Sequence, residues 1–167
     1  MSTTLRSALD NTAAALAYDP GLAKVDVTAD CALTGVHEVE ARLDNRIVKA
    51  DQPPVLGGGG AGPTPGEIAL AALGACHAQT YRVWSEKLGI AIDDVAVDVR
   101  ANVDINGFFG LKEGVRPGFG EVSIAVRISG PETPERYEKL RQAVRDHSPV
   151  LDVFRNTVPV KTSMSMR

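Results

Sequence analysis

One thiol and two arginines are the side chains whose types and spacing bear on chemistry in this chain. Cys76 sits within Ile68-Ala69-Leu70-Ala71-Ala72-Leu73-Gly74-Ala75-Cys76-His77, and a cysteine in such an apolar stretch is either inert packing or a guarded nucleophile. Three and four residues away along a helix lie Ala72, Leu73, Gln79 and Thr80, a set of small and polar groups that leaves room for a small substrate beside the sulfur. A nucleophilic thiol has to be a thiolate. Cys76 lies about three turns from the start of its helix, past the reach of the helix dipole, so a cation must come from elsewhere. Arg42 and Arg46, on the preceding hairpin, are the candidates, whereas His77 falls on a different helix face. Glu67 precedes Cys76 by nine residues, which at 100° per residue turns it to nearly the opposite side. Its spacing from Thr64 fits a capping box better than a catalytic pair. The other cysteine, Cys31, reads as packing.

The glycine run before this helix raises a second chemistry. Gly57, Gly59 and Gly62 satisfy the G-x-G-x-x-G spacing of a dinucleotide-binding turn. That turn needs a strand leading straight into the glycines and a helix opening among them. Here Pro53-Pro54 precedes the run, and the helix opens only after Pro63-Thr64-Pro65; no Gly-Lys-Ser/Thr follows. The run reads instead as a flexible loop leading into a buried helix.

The elements that must position these groups follow from periodicity. Leu5, Leu9 and Leu16 share a helical face over residues 4–17, stopped by Asp19-Pro20. Alternation over Val36–Leu43 and Arg46–Lys49, separated by Asp44-Asn45, predicts a hairpin. Thr64, Pro65 and Glu67 start a helix that runs to about Leu88 and stops at Gly89. Its first half is apolar all round, the mark of a buried helix; Arg82, Glu86 and Lys87 bring its second half to solvent. Strands are predicted over Val95–Ala101 and Glu121–Ile128, joined by a loop holding Phe108, Phe109 and Gly118. Thr133-Pro134-Glu135 starts a helix with Tyr137, Leu140 and Val144 on one stripe. Ser148-Pro149 caps a short one, and Val158–Thr162 supplies a last strand.

The chain has 167 residues, two cysteines, three histidines and a net charge of −3. It is long enough for one domain that buries roughly two thirds of its unfolded surface without staples. The Cys and His spacing matches no zinc pattern, and two cysteines make no disulfide framework. The acidic balance argues against nucleic acid as a partner. No apolar run approaches the roughly 20 residues of a membrane span, and Arg6 and Asp10 break up any leader. The expectation is a soluble protein of the reducing cytoplasm, without metal or cofactor and without a membrane partner.

Taken together, Asp51-Gln52-Pro53, Leu56-Gly57-Gly58, Gly62-Pro63-Thr64-Pro65-Gly66-Glu67 and Ala71-Ala72-Leu73-Gly74-Ala75-Cys76 resemble the OsmC/Ohr family, the osmotically inducible and organic hydroperoxide resistance proteins. His147-Ser148-Pro149-Val150 resembles the second motif of that family, where a cysteine commonly precedes Pro-Val. The likeness runs over roughly residues 30–167. It implies an α+β fold with antiparallel sheets wrapped around a long buried central helix. The chain as a whole reads as one domain over 1–167 with residues 1–20 as a helical extension, and the resemblance also implies an intertwined homodimer.

The resemblance further implies thiol-dependent reduction of organic hydroperoxides in oxidative stress defence. In that chemistry Cys76 is the peroxidatic thiolate, an arginine from the N-terminal strands, here Arg42, holds it, and a glutamate near the helix start, here Glu67, orients the arginine. Ser148 replaces the resolving cysteine and cannot form a disulfide, so turnover needs an external thiol or Cys31 to recycle the enzyme. Two functions follow: a one-cysteine hydroperoxide reductase, or a non-catalytic relative that binds a small hydrophobic ligand at the dimer interface with Cys76 as packing.

Overall fold

The computed structural model describes residues 4–166; the first three residues of the expected N-terminal extension and Arg167 lie outside them. Five α-helices and five strands are described: α1 Leu5–Tyr18, β1 Asp30–Leu33, β2 Val39–Leu43, β3 Arg46–Ala50, α2 Pro65–Leu88, β4 Asp94–Val103, α3 Ile105–Phe109, β5 Phe119–Ser129, α4 Pro134–His147 and α5 Pro149–Arg155. The class is α+β, as expected, with antiparallel sheets. Contacts group the chain into two compact units. The first takes the chain up to Ala72 together with Val99–Ser123; the second takes Leu73–Asp98 and the chain from Ile124 onward.

In the first unit, Thr4 caps α1 by accepting the Ser7 amide, and Asp19 ends it. The predicted hairpin is β2 and β3, with Ala41 opposite Val48 and Leu43 opposite Arg46. Asp44 takes the left-handed conformation at its turn, φ 56°, which Asp tolerates better than most residues. β1 adds a third strand on the other side of β2, with Cys31 opposite Ala41. Thr64 and Glu67 form the predicted capping box at the start of α2: the Thr64 amide donates to Glu67 Oε2 at 2.7 Å, and the Glu67 amide donates to Thr64 Oγ1 at 3.2 Å. The segment expected to be a plain loop between β4 and β5 contains α3. Asp104 accepts the Asn106 amide at its start, and Gly110 closes it in the left-handed region, so cap and stop outweigh its shortness.

The loop that holds the glycine run is tied to the end of β3 by one side chain. Asp51, 3% exposed, accepts the amides of Gly59 and Ala61 on Oδ2, both at 3.0 Å, and that of Gln52 on Oδ1 at 2.7 Å. One carboxylate thus replaces the ladder that an irregular segment lacks. The glycines let the strands' end come close. A Cβ on Gly58 would collide with the Gln52 backbone, and one on Gly62 would lie 2.9 Å from the Lys49 carbonyl oxygen.

In the second unit the stripe predicted on α4 is the core. Leu140 and Val144 are fully buried against Tyr81, Ile90 and Ile92, flanked by Trp84, Leu88, Val95, Val126, Ile128 and Tyr137. The Asp93 amide donates to the Ser129 carbonyl at 2.9 Å, which sets the start of β4 beside the end of β5. Two expectations fail. α2 is not buried all round in its first half: Ala71, Ala72 and Ala75 are exposed, and the buried residues are Leu73, His77, Thr80, Tyr81 and Ser85. Their spacing of three, four and one is a single helical stripe, the side of α2 that this chain covers by itself. Nor do residues 158–162 form a strand: no partner strand is bonded to them among the described residues, and Val160 is exposed.

Candidate functional site

Two of the sequence-predicted residues meet. Cys76 Sγ on α2 and Ser148 Oγ at the α4–α5 junction are 3.7 Å apart, within contact range for the large sulfur atom. Both lie in the second unit. Cys76 is half-buried and unbridged, and Ser148 is buried. The Cys76 carbonyl also accepts the Thr80 hydroxyl at 2.7 Å, four residues on, where a helical threonine reaches back.

The sequence assigns Ser148 to capping, and the structure corrects this. The residue does occupy the N-cap position of α5 and its carbonyl accepts the Asp152 amide at 3.0 Å, yet its side chain makes no capping bond. The hydroxyl turns to the sulfur instead. α5 starts without that bond because Pro149 already presets the first helical φ and has no amide to satisfy.

His147, just before Ser148, is held in two ways. Its Nδ1 is 2.8 Å from the Ala143 carbonyl, and its ring lies across the indole of Trp84. Trp84 follows Cys76 on α2 by eight residues, so the helix that carries the thiol also holds the junction that carries the hydroxyl. Sequence reading missed this pair, since stacking between residues 84 and 147 leaves no local periodicity.

His77 is not the cation that a thiolate requires. It is 7% exposed, its ring edge meets Tyr81 at 5.6 Å, and its Nδ1 has no hydrogen-bond partner among the described residues. Burial lowers its pKa, because the charged imidazolium is the form that loses hydration.

The remaining predicted residues belong to the first unit. Arg42 stands on β2 with its side chain 66% exposed and a loose contact of 3.8 Å to Glu40. Arg46 opens β3 and is exposed. Glu67 accepts both the amide and the hydroxyl of Thr64, and these two bonds hold its carboxyl below the usual range. Cys31 is exposed on edge strand β1, not packed inside; a four-residue edge strand has too little cover to bury it. Among the described residues no cluster of three His, Cys, Asp or Glu side chains is arranged to hold a metal ion. No described helix is long and apolar enough to cross a membrane.

Comparison with known proteins gives the same two motifs a context. A family model described as OsmC-like protein matches residues 57–163, a span that includes both Cys76 and Ser148. An OsmC-like protein from Mycoplasma pneumoniae superposes with a TM-score of 0.68 at 17% identity, over 78% of this chain and 88% of that one. An organic hydroperoxide resistance protein OsmC from Legionella pneumophila gives 0.60 at 20% identity, over 79% and 92%. One from Elizabethkingia anophelis, with crystallant-derived thiocyanate bound, gives 0.59 at 22%, over 79% and 91%. A search of curated protein sequences returns no match. At these identities the structural likeness establishes the fold.

Proposed function

We propose that this chain, which belongs to the OsmC-like protein family, reduces organic hydroperoxides with Cys76 as its reactive thiol and an external thiol as its reductant. The observation that carries this reading is the meeting of Cys76 with Ser148 at 3.7 Å. Ser148 holds the place where the second family motif commonly has a cysteine, so both motif positions converge on one sulfur.

The chemistry balances as follows. The Cys76 thiolate donates an electron pair to the hydroxyl-bearing oxygen of the hydroperoxide; an S–O bond forms as the O–O bond breaks. Sulfur loses two electrons, and the alkoxide takes a proton and leaves as an alcohol. The resulting sulfenic acid condenses with one external thiol, releasing water and leaving a mixed disulfide. A second external thiol displaces Cys76 and departs with the first as a disulfide. Ser148 has no sulfur for the internal route, which is why the reductant is external.

Arg42 is proposed as the counter-cation on the family likeness of its strand; its loose ion pair leaves the guanidinium uncommitted to another carboxylate. We also propose a homodimer in the cytoplasm. The exposed Ala71, Ala72 and Ala75 on an apolar half-helix, with Phe108 and Phe109 exposed on α3, are surface that a second copy would cover.

The test is formation of sulfenic acid at Cys76 in the native protein, with cumene hydroperoxide and hydrogen peroxide side by side and Cys76→Ser as control. Faster oxidation by the organic peroxide, lost in the control, is the expected result. A folded protein whose Cys76 resists both peroxides would return the thiol to packing and leave ligand binding as the function.

A further inference from the structure

Ser148 is 3% exposed, occupies an N-cap, and yet makes no capping bond. Serine at that position ordinarily accepts an amide from the first turn, so its alignment with Cys76 Sγ at 3.7 Å comes at the expense of a bond the helix start offers. A neutral thiol is a weak donor and a weak acceptor. A thiolate has no proton to give and accepts strongly. Once the sulfur is ionised, the direction of the contact is therefore decided: the hydroxyl donates and the sulfur accepts.

We infer that Ser148 is a hydroxyl donor that stabilises the Cys76 thiolate, so that the position which lacks a resolving sulfur serves the nucleophile instead. The hydroxyl keeps its proton throughout. Its bond to sulfur is strongest before the sulfur's electron pair is committed to an electrophile, and the bond is held in place by the packing of its neighbour His147 on Trp84. The inference rests on Cys76 being the reactive thiol, as proposed above, but not on a peroxide being its electrophile. Thr80 does not compete for this role, because its hydroxyl is spent on the Cys76 carbonyl.

The experiment measures alkylation of Cys76 by iodoacetamide across pH in the full chain, in a Cys31→Ser background that leaves one thiol. Loss of a hydrogen bond to a charged group is expected to slow the reaction of Ser148→Ala at neutral pH about tenfold, and its profile moves to higher pH. At alkaline pH, where every thiol is ionised, the two rates converge. Ser148→Thr, which retains a hydroxyl, stays near the parent. If Ser148→Ala does not fold, Ser148→Gly makes the same comparison. Matching profiles would overturn the inference, as would a deficit of equal size at every pH, which signals altered access.

Peroxide consumption separates the two proposals. A parent protein that alkylates with the expected contrast but ignores peroxide leaves the hydroxyl role standing and removes the reductase reading. Peroxide turnover without the contrast does the reverse.

Discussion

The imidazole of His147 lies across the indole of Trp84, with ring centroids 4.1 Å apart and planes inclined by 38°. The Lys87 ammonium sits 4.0 Å from the centre of the same indole, a distance at which cation and ring attract. The stack ties the last residue of α4 to α2, one residue before Ser148. Fixing His147 fixes where the chain turns into α5, and so where the Ser148 hydroxyl points.

Trp84→Ala should therefore act on stability and on the site together. Trp84 flanks the core and is partly buried, so a loss of about 3 kcal/mol, at the low end for tryptophan truncation, is expected in urea unfolding. The second effect is geometric. With Ser148→Cys as a reporter, diamide should form a disulfide to Cys76 readily in the parent and more slowly with Trp84→Ala added, as read by loss of free thiol. An unchanged rate would mean that the α4–α5 junction is held by the Leu140 and Val144 packing alone.

Asp51 predicts a pH dependence. The Ala61 amide, then the Gln52 amide, hold its carboxyl below the usual range; desolvation opposes them, while the Gly59 amide and the charge of His37 add to the lowering. A group whose folded pKa lies below its unfolded one binds fewer protons when folded, so its contribution is full above the ordinary carboxylate value of about 3.9 and is lost as pH falls through the lowered one. Glu67 contributes with the same sign. The expected result is a urea midpoint that drops as solutions become more acidic than that value, with a smaller drop in Asp51→Asn. At neutral pH, hydrogen exchange at Gly59 and Ala61 should be slow in the parent and fast in Asp51→Ala.

The capping box offers a way to separate a structural carboxylate from a catalytic one. Thr64→Ala removes an acceptor for the Glu67 amide and should cost about 1 kcal/mol. Glu67→Gln keeps an oxygen for the Thr64 amide but discards the charge at the helix N-terminus, where an anion is favoured. A lowered melting temperature with unchanged oxidation of Cys76 is the expected pattern for Glu67→Gln, measured by calorimetry and stopped-flow. A slowed oxidation at unchanged stability would give Glu67 the orienting role that the family resemblance implies.

Local signals made most of the fold legible. Thr64 with Glu67, Thr133 with Pro134, and the alternation of Val122, Ile124, Val126 and Ile128 act within a few residues, and each element formed as predicted. What escaped was set by partners far along the chain or by their lack. The role of Asp51 was not legible, because nothing in its own neighbourhood says that Gly59 and Ala61 will return their amides to it. Residues 158–162 alternate as a strand does but pair with no strand among the described residues. For the site, Cys76 and Ser148 were readable as motif positions. The direction of the Ser148 hydroxyl was not, since the same residue before the same proline is the ordinary signature of a helix cap.

Arg42 tests the proposed mechanism with least collateral damage. Its side chain is 66% exposed and its contact with Glu40 is 3.8 Å long, so truncation removes little packing and a pair of the kind that contributes between zero and about 1 kcal/mol. Arg42→Ala should melt close to the parent. If Arg42 is the cation for Cys76, its removal leaves the thiolate to the Ser148 hydroxyl alone, and oxidation by cumene hydroperoxide should slow by about tenfold or more, in line with the loss of a charge-assisted partner. Arg42→Lys, which keeps the charge but not the planar fork, should fall between. Arg46→Ala is the matched control, because Arg46 lies on the same hairpin directly opposite Leu43 and is likewise exposed. Equal slowing in both variants would point to the general field of the hairpin, and parent-like oxidation in Arg42→Ala would remove Arg42 from the mechanism, leaving the hydroxyl of Ser148 as the only named group acting on the sulfur.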